Sequence, residues 1–249
     1  MDGADKVYCA IDTVDIGHSA RLIDGVRGAV GGIKLGLEFF MAHGPDLVRR
    51  LVGRETPLFL DLKLHDIPNT VAGAVRAVAP LAPTLLTIHC TGGPAMLRAA
   101  RTAAEEASAK FGVPRPKLLG VTVLTSLDDS DLEAIGVAHA PLQQVRRMAA
   151  LARENGMDGV ICSPLEIVEL RADCGEDFLL VVPGIRPAGS AVGDQKRVMT
   201  PGEAVGKGAD YLVIGRPITE ASSPRGAAEA IALEIAAAQG GTARRRAAR

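Results

Sequence analysis

Eight short runs of nearly continuous apolar residues recur along the chain, at 7–12, 32–35, 58–63, 85–89, 118–124, 159–163, 178–183 and 211–215. A strand with one wet face alternates apolar and polar residues, whereas continuous runs of this length fit parallel strands buried on both faces. Between them the apolar spacing widens to that of amphipathic helices, at 19–30, 44–52, 70–78, 94–108, 142–154, 165–172, 201–207 and 225–238. Leu47, Val48 and Leu51 share one stripe, and Val71, Ala74, Val75 and Val78 another. Ser19 and Asn69 offer N-caps, Gly112 a stop, and Pro201-Gly202 a helix start. Eight β-then-α units in series predict a single (β/α)8 barrel of the α/β class, a TIM barrel. An open doubly wound sheet is the runner-up, but no G-x-G-x-x-G follows the first strand. No shift in composition divides the chain, so residues 1–239 read as one domain. The Gly/Ala/Arg segment 240–249 reads as a flexible tail.

Composition narrows the function. The 249 residues carry 28 Lys+Arg against 29 Asp+Glu, and 47% are apolar. That balance excludes a disordered chain and argues against nucleic acid as a partner. With Trp absent and aromatics at 3%, stacking platforms for single strands are not expected. Cys9, Cys90, Cys162 and Cys174 form no C-x-x-C pair, and three lie in apolar runs, as small core residues do. A reduced, cytoplasmic setting is expected. The opening Met-Asp-Gly-Ala-Asp-Lys lacks the layout of a secretory signal, and no apolar stretch is long enough to cross a bilayer.

The chemistry lies at the strand ends, where barrels of this kind place their active sites. Asp12, Lys34, Asp61, Lys63 and His89 end otherwise apolar runs, and Thr125-Ser126 follow the fifth. Asp61 and Lys63 are two apart, so they share one side of their strand and face inward, while Leu60, Leu62 and Leu64 face the helices. Asp66 follows three residues on, which would place the lysine between two carboxylates and keep it protonated. Such a lysine is a proton donor or an anion clamp rather than a Schiff-base nucleophile. A buried ion pair closing the barrel would account for Asp61 with Lys63, but not for Asp12, Lys34 and Asp66 as well. A second group comprises Gly215-Arg216 after the last strand, with Arg186 and Gln195 on the long loop 183–200. Loops after strands seven and eight commonly grip phosphate, and a loop this long suits binding or closure. His65 and His89 read as supporting residues, and His18, His43 and His139 as solvated. No zinc-type cluster, Gly-x-Ser-x-Gly or Walker A sequence is present.

Asp61-Leu-Lys-Leu-His-Asp-Ile-Pro-Asn-Thr70 closely resembles the signature of the orotidine 5′-phosphate decarboxylase family. The likeness extends through Ala10-Ile-Asp12, Gly32-Ile-Lys-Leu-Gly36, Val121-Thr-Val-Leu-Thr-Ser126, Pro183-Gly-Ile-Arg186, Gly193-Asp-Gln195 and Ile214-Gly-Arg-Pro-Ile218. It is that of the shorter bacterial form, with Val182 where Thr is usual. The resemblance implies conversion of orotidine 5′-monophosphate to UMP and CO2, in pyrimidine synthesis, with no metal and no organic cofactor. It implies that Lys63 protonates C6, that Asp61 faces the substrate carboxylate, and that Asp12 and Lys34 hold the ribose. Thr125 and Ser126 would contact the base, and Arg186, Gln195, Gly215 and Arg216 the phosphate side. Asp66, Ile67 and Thr70 would reach a partner's site, which implies a homodimer. Two alternatives stand beside it. One is a Mg2+-dependent decarboxylase or aldolase of keto-sugar phosphates, sharing Asp-x-Lys-x-x-Asp but with an acidic metal ligand where this chain has Lys34. The other is a nucleotide-binding barrel without chemistry.

Overall fold

The computed structural model describes residues 3–187 and 199–247. Eight parallel strands close into a barrel in sequence order: β1 (Val7–Ile11), β2 (Gly32–Gly36), β3 (Leu58–Leu64), β4 (Leu85–His89), β5 (Lys117–Val121), β6 (Gly159–Ile161), β7 (Leu179–Val182) and β8 (Tyr211–Ile214). The helices around it are α1 (Ile16–Val26), α2 (Leu37–Val52), α3 (Pro68–Val78), α4 (Gly93–Phe111), α5 (Asp129–Ala134), α6 (Pro141–Glu154), α7 (Ile167–Cys174), α8 (Pro201–Gly206), α9 (Arg216–Thr219) and α10 (Pro224–Ala247). The barrel read from the sequence is the barrel found.

The strands bury two layers. Tyr8, Phe59, Leu85, Leu119 and Val181 point into the barrel. Tyr8 meets Phe59 and Tyr211 edge-on, with ring centroids 5.8 and 5.4 Å away. The lumen is full enough that a Cβ on Gly32 would sit 2.3 Å from the Tyr8 ring. The alternate residues, among them Cys9, Ile33, Leu60, Leu86 and Val160, pack outward under the helices. Cys9, Cys90 and Cys162 are buried, as the apolar runs predict.

Helix boundaries differ from expectation where capping chemistry differs. The α1 cap is Asp15, whose carboxylate accepts from the His18 N–H. Ser19 lies buried one turn inside and donates to the Asp15 carbonyl at 2.8 Å. For α3 the N-cap is Ile67 with Pro68 at the first position, and Asn69 does not cap. Helix α2 begins at Leu37, not 44, because a kink at Gly44 (φ 68°), followed by Pro45, joins two helical pieces. Two short helices, α5 and α9, lack a long enough stripe to be seen in the sequence. The last helix extends to Ala247, into the segment read as a tail. Strand β5 ends at Val121 rather than 124, since the Thr122 hydroxyl donates to the Ile161 carbonyl and a turn follows at 124–127.

Candidate active site

Strand β3 sets the site. Phe59, Asp61 and Lys63 alternate inward, as the sequence predicts, while Leu60 and Leu62 are buried beneath the helices. The strand does not run regularly to its end. It pairs with β4 at Leu60↔Leu86 and next at Leu64↔Ile88, so residues 61–63 stand opposite Thr87 alone. Lys63 takes up the excess with a left-handed backbone, φ 47°. A side chain other than Gly there costs about 1–3 kcal/mol, and such conformations gather at functional sites.

Around this bulge four charges alternate in sign. The Lys63 ammonium donates to both Asp61 oxygens at 2.8 Å. The buried Lys34 ammonium lies 3.6 Å from Asp61 Oδ2 and 3.3 Å from Asp12 Oδ1. Asp61 also accepts from the Thr87 hydroxyl at 3.0 Å. Burial pushes the Asp61 carboxyl upward, but Lys34, Lys63 and the hydrogen bonds from Lys63 and Thr87 outweigh it. Its pKa therefore falls below the ordinary value, and it stays ionised. His89, whose ring lies 5.4 Å from that of His65, has its pKa lowered by burial first and then by His65 and Lys63. It is thus held neutral beside the cations.

Above the charges lies an apolar cleft lined by Val121, Val123, Thr125, Ile161 and Pro183, with Asp61 and Lys63 on its floor. Ser126 is exposed on the turn beyond it. Asp12 and Arg216 line an adjoining polar depression with His18 and Thr219. A Cβ on Gly215 would come within 3.3 Å of Asp12 Oδ2, so the glycine leaves room for that carboxylate. The base of the long loop is pinned by the Ile185–Met199 bridge, where the Arg186 N–H donates to the Met199 carbonyl at 3.0 Å. Gln195 lies outside the described residues. A larger cavity of about 560 Å³ beside α4 and α6, lined by Cys90, Gln144, Arg147 and Glu154, lacks such an array. The charge network, not size, selects the site.

One expectation needs correcting. Asp66 does not flank Lys63 within the chain; its carboxylate is exposed and accepts from the Ile67 N–H at 2.6 Å. The lysine is instead held by Asp61, with Lys34 beyond it. Residues 65–70, including Asp66, Ile67 and Thr70, are all exposed, Ile67 at 66%. Thr87 joins the site from the middle of β4 rather than from a strand end. Its signal is a polar residue two before His89 and two after inward-facing Leu85.

The model of the orotidine 5′-phosphate decarboxylase / HUMPS family matches residues 5–231. The chain belongs to this family. An orotidine 5′-phosphate decarboxylase of Rhodospirillum rubrum is 57% identical, over 92% of this chain and 93% of that protein. One from Moorella thermoacetica is 51% identical over 94% of each. The crystal structure of the orotidine 5′-phosphate decarboxylase from Lactobacillus acidophilus superposes with a TM-score of 0.81 at 38% identity, covering 92% of this chain and 98% of that one. Family membership agrees with the resemblance carried by residues 61–70.

Proposed function

We propose that the chain decarboxylates orotidine 5′-monophosphate to UMP, a carboxy-lyase reaction of pyrimidine synthesis, by fixed charge alone. The observation that carries this reading is the alternating row Asp12–Lys34–Asp61–Lys63 beneath an apolar cleft. When the C6–CO2 bond breaks, its electron pair stays on C6 in the plane of the ring. The ring π system cannot delocalise that pair, so stabilisation must come from outside. A preorganised cation in a water-poor cleft meets the need, because its attraction grows as the negative charge concentrates on C6. Lys63 is that cation. It then passes one N–H proton to C6, giving UMP, and the neutral amine regains a proton from solvent. Asp61 holds the Lys63 ammonium through both oxygens and faces the substrate carboxylate, repelling it in the ground state.

The remaining roles follow the positions around the mouth. Asp12 and Lys34 hold the ribose hydroxyls, and Thr125 with Ser126 the base edge. Arg186, Gly215 and Arg216 bind the phosphate together with Gln195. Enzymes lower barriers by about 8–23 kcal/mol, more than one lysine supplies, so phosphate binding remote from C6 contributes through the 183–200 loop. The Mg2+-dependent alternative needs a carboxylate where Lys34 lies buried between two carboxylates.

The enzyme acts as a cytoplasmic homodimer in this reading. The run 65–70 is exposed in the single chain, and so are the apolar side chains of Leu37 and Met41 at the start of α2. A second copy would cover them and bring Asp66, Ile67 and Thr70 to the neighbouring site. Among the described residues no helix is long and apolar enough to cross a membrane. The test is the absorbance of orotidine 5′-monophosphate mixed with purified chain and excess chelator. Its steady loss with CO2 release is the expected result. No loss, or loss only after Mg2+ is added back, would overturn the reading.

A further inference from the structure

Thr87 is fully buried on the inward face of β4, between Leu85 in the lumen and His89 at the mouth. Its hydroxyl makes two hydrogen bonds of opposite sense. Oγ1 accepts from the Lys63 backbone N–H at 2.9 Å and donates to Asp61 Oδ1 at 3.0 Å. One proton and one lone pair are thus each engaged by a different residue of the bulge.

The first bond answers a problem made by the bulge. Residues 61–63 face Thr87 without ladder partners in β4, and a buried N–H left unpaired there would be costly. The hydroxyl takes the place of the absent ladder carbonyl and fixes Lys63 at its left-handed φ of 47°. The second bond gives the buried hydroxyl proton its acceptor, and it does more than that, since Asp61 already meets both Lys63 and Lys34. Its effect is to fix the carboxylate's rotation, and through it the place of the Lys63 ammonium. Backbone and head group of one lysine are therefore anchored to a single oxygen.

We infer that Thr87 is a positioning residue of the decarboxylation: its hydroxyl aims the Lys63 ammonium at C6 by holding both the Lys63 backbone and the Asp61 carboxylate. This rests on the assignment of Lys63 as proton donor. Thr87→Val keeps the shape and removes the hydroxyl, and Thr87→Ser keeps the hydroxyl and removes the methyl. In Thr87→Val, kcat should fall about 10–100-fold while KM stays within about twofold, because misplacement of a reacting group is felt in the chemical step. Thr87→Ser should return kcat to within about threefold of the wild type. The Lys63 amide should also exchange with deuterium faster in Thr87→Val, a readout that needs no turnover. An unchanged kcat in Thr87→Val, a change in KM alone, a Thr87→Ser as slow as Thr87→Val, or unchanged Lys63 exchange would overturn the inference. If Thr87→Val does not fold, Thr87→Ala takes its place in the same comparison. A wild-type chain that releases no CO2 would overturn the functional reading instead, and the amide exchange would still decide whether Thr87 anchors the bulge.

Discussion

Asp61 carries more of the site than any other single residue. Its two oxygens take Lys63 at 2.8 Å and Thr87 at 3.0 Å, with Lys34 at 3.6 Å. Without the carboxylate, the Lys34 and Lys63 ammonium groups would lose the anion that stands between them. The direction of its pKa fixes how this shows in solution. The native value lies below the ordinary 3.8. The stabilisation it supplies is thus fully present above that ordinary value, and is lost as pH falls through the lower native one. Asp61→Asn should therefore melt below the wild type at neutral pH, and the gap should narrow only in acid below about pH 4. Thermal melts of both chains across that range check it, and a gap that stays constant into acid would contradict it.

At the scale of elements, the lower rim of the barrel is held by a device used twice. Asp158, just before β6, accepts from the Leu118 N–H of β5 and takes the Arg115 guanidinium with both oxygens at 2.7 Å. Asp210, just before β8, accepts from the Leu180 N–H of β7 and takes Arg171 at 2.6 Å. Each carboxylate ties one strand to the next and is far in the fold from the charged mouth. Asp158→Ala strands both a guanidinium and a backbone N–H, and should cost about 3 kcal/mol. That corresponds to a Tm lower by roughly 6–12 °C for a chain of this size, with KM unaltered. A Tm unchanged by the substitution would remove the device from the account. None of this rim was legible in the sequence, because Arg115 and Asp158 are 43 positions apart and carry no local pattern. The strands were legible, since burial on both faces leaves continuous apolar runs. So was the inward pairing of Asp61 with Lys63, which follows from strand alternation. The bulge at Lys63 was not, because a left-handed lysine has no composition signal. The role of Thr87 is hidden for the related reason that its meaning depends on that bulge. The place of Asp66 is not legible either, because three residues along the chain look close until the strand ends and the chain turns outward.

For the whole molecule, the exposed run 65–70 means that a single chain presents Asp66 to solvent rather than to its own Lys63. If a partner completes each site, two damaged chains can repair one another. Lys63→Ala and Asp66→Asn should each be nearly inactive alone. Mixed after unfolding and refolding, they should recover about a quarter of wild-type activity, since half the dimers are hybrid and each hybrid holds one intact site. No recovery would mean that Asp66 serves its own chain. Whatever the assembly, the proposed chemistry returns to one amine at the end of β3. The most direct measurement is turnover of orotidine 5′-monophosphate by Lys63→Ala, beside its affinity for UMP. The account predicts CO2 release too slow to detect from a folded chain that still binds UMP; release at a substantial fraction of the wild-type rate would contradict it.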